Sequence, residues 1–291
     1  MPAPDAVQGR FPAPLVIAID GPSGSGKSSV SREVARRLGL EYIDTGAMYR
    51  AVCWACLDAG IDLDDSAAVA DLAHSVDILL GTGPDDPRVV VDGQEVTEQI
   101  RRTRISSAVS AVAVVPEVRT ELRARQRQLI VRAQAGPQSG CVAEGRDITT
   151  VVAPDADVRL LLTASEQARL QRRTLQVHGT VDAPAMEATR DQVLRRDEDD
   201  ATVSSFRVAA DGVLELDSSA LTFEQTVQAV LDAVARQASG HPVVELDLVA
   251  AEADTVTPGL PSTPEITVAD VTVPDAPGTS VPGVDAVRVP R

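Results

Sequence analysis

The stretch Gly21-Pro22-Ser23-Gly24-Ser25-Gly26-Lys27-Ser28 restricts the fold of this chain more than any other segment. It fits the pattern G-x4-G-K-[ST], and it stands between an apolar run at 15–19 and a helical pattern from 27 to about 38. Glycines let the backbone curl closely around an anion. Successive N–H groups then point inward as a nest, and the first turn of the following helix adds positive potential. The segment therefore predicts a buried strand, a phosphate-cradling loop and a helix, in that order. Lys27 is placed to reach a transferring phosphate, and the hydroxyl of Ser28, followed by Ser29, to ligate Mg²⁺. Of the 27 Lys and Arg residues, Lys27 is the only lysine. A compact ammonium on a flexible stem fits a tight backbone ring, where a broad guanidinium suits open, bidentate pairing.

Apolar strands alternate with helices around this loop. Further strands are predicted at 42–43, 141–143, 158–162 and 213–216, and further helices at 47–59 and 222–237. Such alternation implies a parallel sheet covered on both faces, an α/β fold. Residues 88–96 break the rhythm. There Asp92-Gly93 supplies the positive φ angles of a type I′ turn between two short strands. Long amphipathic helices follow from 103 to 134, restarted at Pro116. We read 62–115 as a subdomain inserted into the α/β core. A pair of charged helices spans 165–200, with Asp182 and Pro184 opening the second.

Composition removes several function classes. Hydrophobic residues make up 44% of the chain but aromatics only 2%, so aliphatic side chains must fill the core. A net charge of −16 disfavours attraction to nucleic-acid polymers or anionic membranes, so any phosphate site must be a local concentration of arginine and backbone N–H groups. No apolar run approaches the roughly 20 residues of a membrane span. Residues 1–14 lack a signal-peptide pattern, and the expected location is cytoplasmic. Cys53-x-x-Cys56 stands among apolar neighbours and reads as part of a buried helix, not as a redox or zinc pair. His74, His178 and His241 are scattered singly. From 241 to 291 there are eight prolines, no aromatic residue, and eight acidic against two basic residues. Such a segment buries too little surface to offset its ordering entropy, so 241–291 reads as a disordered acidic tail and 1–13 as a flexible N-terminus.

The loop says that a nucleoside triphosphate is bound, not what becomes of it. A guanine-reading Asn/Thr-Lys-x-Asp motif is ruled out because the single lysine already sits in the loop, and a Leu-Ser-Gly-Gly signature is absent. A small kinase and a nucleotide-sensing regulator remain. A kinase needs a second anion site, and three clusters are candidates. Asp44-Thr45-Gly46-Ala47-Met48-Tyr49-Arg50 follows the second strand, where open α/β sheets line their crevice. Glu144-Gly145-Arg146-Asp147 follows the strand at 141–143. Arg195-Arg196-Asp197-Glu198-Asp199-Asp200 closes the charged helix pair, with Arg169, Arg172 and Arg173 on the helix before it; such helices also serve simply as solvated faces.

Together with Ser110-x-Val112-Ala113 and Pro116-x-Val118-Arg119, these clusters resemble the signatures of bacterial cytidylate kinases, in order and spacing, over about residues 15–237. The resemblance implies a P-loop nucleoside monophosphate kinase: a five-stranded parallel sheet covered by helices, an inserted α+β monophosphate-binding subdomain and a helical lid. It places that domain at about 14–240, with a core of 14–61 and 116–240, an insert of 62–115 and a lid of 165–200. It implies a monomer performing Mg²⁺-dependent phosphoryl transfer from ATP to CMP or dCMP in pyrimidine nucleotide metabolism. Ser110, Arg119 and Asp147 would read cytosine, whose exocyclic amine suits a carboxylate; uracil would set a carbonyl against Asp147. Arg50 and Arg146 would clamp the acceptor phosphate and, with Lys27, form the catalytic set. Asp44 and Thr45 would lie beside that phosphate, Arg196 and Asp200 near the ribose. Arg172, with Arg169 and Arg173, would close on ATP from the lid. One feature departs from the family pattern: no arginine stands about three residues after Asp200, and Arg207 is the nearest one downstream. UMP or another small metabolite stays open as the acceptor.

Overall fold

A computed structural model describes residues 14–202, 204, 206–238 and 286–288, without the side chains of 183, 188, 191–196, 200, 238 and 286–288. The chain opens with β1 (Leu15–Asp20), α1 (Lys27–Leu38), β2 (Glu41–Asp44) and α2 (Thr45–Asp58). Next come α3 (Ser66–Ser75), β3 (Ile78–Gly81), β4 (Val89–Val91), β5 (Gln94–Glu95) and a 3₁₀ turn at Gln99–Arg101. The helices α4 (Thr103–Ala113) and α5 (Pro116–Ala135) lead back to β6 (Gly140–Gly145), a π-helical turn at Ile148–Val152 and β7 (Val158–Thr163). The last stretch holds α6 (Glu166–His178), α7 (Ala183–Ala201), β8 (Leu214–Asp217), α8 (Phe223–Ala238) and β9 (Ala286–Arg288).

The apolar segments form a five-stranded sheet in the order β2-β6-β1-β7-β8. Every pairing in it is parallel. All residues of β1 and of β6 are buried, as strands covered on both faces require. The register matters for function. Asp20 lies opposite Gly145, and Asp44 opposite Glu144. The loops that begin at Gly21 and Arg146, and the helix that begins at Thr45, therefore leave the sheet at one level of its carboxyl edge, where α/β sheets bind ligands.

Three strands of 78–95 and one from 286–288 build an antiparallel sheet in the order β5-β4-β3-β9. Its hairpin turns at Asp92 and Gly93 with φ of 47° and 83°, the left-handed values expected of that dipeptide. The strand β9 comes from the segment read as a tail, and pairs Leu79 with Arg288, Leu80 with Val287 and Gly81 with Ala286. That departs from the expectation of an unstructured tail; the rest of 241–291, like 1–13, lies outside the described residues. The 3.6-residue pattern of 103–134 becomes α4 and α5, divided as expected before Pro116.

Arg125 of α5 is buried and ties α5 to the end of α3. It donates to the carbonyl oxygens of Ala73 and Val76 at the end of α3, both at 2.9 Å, and pairs with Glu121 at 2.6 Å. A cation there satisfies carbonyls that the helix end leaves open. Cys53, Cys56 and Cys141 are free and buried, and burial pushes the Cys53 thiol up to about 12 and Cys56 to about 11. The Cys-x-x-Cys spacing on α2 is thus core packing. Among the described residues, no helix is long and apolar enough to cross a membrane.

Candidate active site

The Gly-rich loop must be glycine because neighbouring backbone crowds it. A Cβ on Gly21 would stand 2.2 Å from the carbonyl oxygen of Leu162 in β7, and one on Gly24 2.8 Å from that of Arg169 in α6. Gly26 caps α1 with φ of 89°, so the N–H groups of the first helical turn open toward the loop. Lys27 Nζ lies 3.5 Å from the Pro22 carbonyl and 3.9 Å from Glu144 Oε2. The Ser28 hydroxyl donates to Glu144 Oε1 at 2.5 Å, and Tyr42 donates its phenol to the same oxygen at 3.1 Å. Burial raises the Tyr42 pKa well above its ordinary value, helped by the Glu144 charge, so the phenol stays a donor.

Two cavities open at this edge of the sheet. The larger, of about 730 Å³, is lined by residues 23–30, by Arg172 and Arg173 of α6, and by Phe223 at the start of α8. Gly21 and Pro22, which open the loop, are not part of this lining. The insert adds Arg101 and Arg102, which the sequence reading did not single out. The second cavity is lined by Thr45, Tyr49, Val109, Arg119, Asp147 and Ser204, among others. Lys27, Ser28, Asp44, Arg50 and Arg146 line both.

Asp44 caps α2 by accepting from the Ala47 N–H at 2.8 Å, and its other oxygen accepts from Arg50 Nη2 at 2.8 Å. Burial pushes its carboxyl up, but Arg50, the Ala47 N–H, Arg101 and Lys27 together hold it below the usual carboxylate range. It is an anion set among cations. Thr45 Oγ1 donates to the Glu144 carbonyl at 2.7 Å, joining the ends of β2 and β6. Arg119 reaches Asp147 Oδ2 at 2.8 Å, with both residues buried.

The family model for cytidylate kinase matches residues 17–236. The chain belongs to the cytidylate kinase family. It is 44% identical to a Streptomyces avermitilis protein named cytidylate kinase, over 76% of this chain and 92% of that one. Identity is 48% to a cytidylate kinase of Cutibacterium acnes, over 76% of this chain and 96% of the relative. A cytidylate kinase of Nocardia farcinica is 45% identical over 78% and 96%.

Several family-implied residues stand differently from expectation. Ser110 is buried on α4, but its neighbours Val109 and Ala113 line the cavity in its place. Arg172 lines the larger cavity yet is engaged by the protein, donating to the Ser25 carbonyl at 3.2 Å and to the Ser218 carbonyl at 2.6 Å. It therefore also ties α6 to the loop. Arg169 donates to the Ser23 carbonyl at 2.9 Å and pairs with Asp197, which accepts from the Ser23 N–H at 2.9 Å. Burial lowers the Arg173 pKa, with the Arg50 charge adding to it. Arg196 and Asp200 lie on α7 with Asp200 and Arg196 side chains outside the described residues.

Ser204, Phe206 and Asp20 escaped the sequence reading, whereas Arg207 was named there as the nearest arginine after Asp200. Arg207 is exposed and donates to the Asp197 carbonyl at 3.1 Å, so it does not stand in the second cavity. In the same segment Ser204 accepts from Arg119 Nη2 at 3.1 Å, and fully buried Phe206 lies 5.2 Å from the Arg146 guanidinium. Asp20 pins the loop that carries Arg146 and Asp147. It accepts from the N–H groups of Ile148 at 3.0 Å and Thr149 at 2.8 Å, and from the Thr149 hydroxyl at 2.7 Å. An acid at the end of a strand feeding a P-loop was the only sequence signal for it.

Proposed function

We propose that the chain transfers the γ-phosphoryl group of ATP to CMP or dCMP, yielding ADP and CDP or dCDP. The observation that carries this reading is the pair of cavities joined at Lys27, Ser28, Asp44, Arg50 and Arg146. A nucleotide phosphate from each side would meet there. The acceptor is already an oxyanion, so no strong general base is needed, and catalysis comes from positioning and charge neutralisation. Lys27 and the loop N–H groups hold the donor phosphates; Arg50 and Arg146 hold the acceptor phosphate. Asp44 orients Arg50 through their 2.8 Å ion pair, and Phe206 supports Arg146.

The residues present suit Mg²⁺. Among the described residues there is no cluster of three or more His, Cys, Asp or Glu side chains for a metal cage. Mg²⁺ needs none, since it keeps waters and takes one or two protein oxygens beside substrate phosphates. The Ser28 hydroxyl, backed by buried Glu144, is such an oxygen, and the ion would neutralise developing phosphate charge. Cytosine would be read by Asp147 and Arg119. We read the protein as a cytoplasmic monomer working in pyrimidine nucleotide metabolism, on family grounds.

ADP release measured with CMP, dCMP, UMP and AMP, each with ATP and Mg²⁺, tests the proposal. Turnover with CMP and dCMP far above the others is expected. Tight ATP binding with no monophosphate-dependent ADP release would overturn it in favour of a nucleotide-sensing regulator.

A further inference from the structure

Asp147 is held by a second arginine as well as by Arg119. Arg123, one helical turn further along α5, donates to Asp147 Oδ2 from Nε at 3.0 Å and from Nη2 at 2.6 Å. Arg119 Nη2 donates to that same oxygen at 2.8 Å. Three donors thus converge on Oδ2, and among the described residues none donates to Oδ1. The pair is not a solvated surface bridge: the side chains of Asp147 and Arg123 are 8% and 23% exposed. At that burial the geometry of an ion pair persists far better than at an open surface.

We propose that Arg123 is the positioning residue that makes Asp147 an amine reader. A carboxylate whose Oδ2 accepts from two guanidinium groups is held in one orientation. Its one open oxygen, Oδ1, can then only accept. That suits the exocyclic amine of cytosine and rejects a base that offers a carbonyl at the same place, because two acceptors would face each other in a buried site. Arg119 alone would not do this, because its guanidinium is shared among Asp147, the Ser204 hydroxyl and the Ala113 carbonyl. Arg123 gives both of its recorded hydrogen bonds to Asp147. The inference rests on the base-reading role of Asp147 and deepens it.

Binding separates this proposal from the proposed reaction. Affinities for CMP and UMP are measured by calorimetry for the full chain, Arg123→Met, Arg123→Lys, Asp147→Asn and the double variant, with kcat/KM for both substrates beside them. The CMP/UMP preference should fall by roughly tenfold or more in Arg123→Met, the loss expected for a charged hydrogen-bond partner. The loss should fall on CMP and not on UMP. Arg123→Lys, with a point charge and a simpler donor set, should recover part of the preference. In the Asp147→Asn background, Arg123→Met should change the preference no further, because both changes act through one group. An unchanged preference, an equal loss for both nucleotides, or a full Arg123→Met effect in the Asp147→Asn background would overturn the proposal. A wild type that binds CMP selectively without turning it over would refute the kinase reading and leave this comparison decisive.

Discussion

Replacing Asp20 by Asn tests the link between the two loops, because Asp20 is the carboxylate that spans them. It is 2% exposed, and burial lifts its pKa from 3.8 to about 6 despite hydrogen bonds from Thr149 and Ile148, with the Asp147 charge adding to the rise. Between about pH 4 and pH 6 the folded chain therefore holds a proton that the unfolded chain has released. The unfolded state binds fewer protons there, so this group's contribution is fully present below pH 4 and is lost as pH rises through 6. A shift of that size corresponds to about 3 kcal/mol in all, of which about 1.3 kcal/mol develops between pH 7 and pH 5. Asn cannot take up that proton. Carboxylates such as Asp44 and Glu33, whose pKa values are lowered, lose their contributions at more acidic pH in both proteins alike. Urea unfolding of wild type and Asp20→Asn at pH 7, 6 and 5 should show wild type gaining about 1.3 kcal/mol on the variant across that interval. A difference that stays flat, or moves the other way, would refute the reasoning that Asp20 is a desolvated carboxylate. The same variant should weaken CMP binding more than ATP binding, because Asn has one acceptor oxygen for two backbone N–H groups behind Asp147.

Three further outcomes are expected. Lys27→Ala should lower kcat by about 10³-fold or more with unchanged circular dichroism, as removal of the main charge at the transferring group implies; near-wild-type turnover would rule out the donor site. Phe206→Leu keeps an apolar side chain but removes the ring under Arg146, so the KM for CMP should rise roughly three- to tenfold while the KM for ATP stays put. Deleting residues 286–291 should speed amide hydrogen exchange at residues 79–81, since β9 is the partner of β3 on that edge; unchanged exchange would show that the pairing makes no lasting contribution.

Much of the donor half was legible because its physics is local. A phosphate nest needs consecutive N–H groups, glycines where backbone crowds the loop, and a helix that starts at once, and all of that is written within eight neighbouring residues. The hairpin at Asp92-Gly93 and the helix start at Pro116 are local for the same reason. The acceptor half was only partly legible. Arg119 stood in a recognisable motif, but Arg123, four residues on, looked like any charged residue of an amphipathic helix. Its spacing puts it on the same helix face, which is the one sequence signal that could have raised it.

Sequence alone determined that an aliphatic α/β sheet would carry a glycine-rich loop with the chain's single lysine, and that every other basic side chain would be arginine. Only the tertiary structure decided which partner each arginine meets within the protein. Parallel register brought Asp20 beside Gly145 and Asp44 beside Glu144. Packing then assigned Arg125 and Arg172 to backbone carbonyls, Arg169 to Asp197, and Arg119 with Arg123 to Asp147. A guanidinium looks the same wherever it falls in a sequence. What it does depends on which carbonyl or carboxylate the fold sets within 3 Å of it, and those partners lie tens to more than a hundred residues away in the chain.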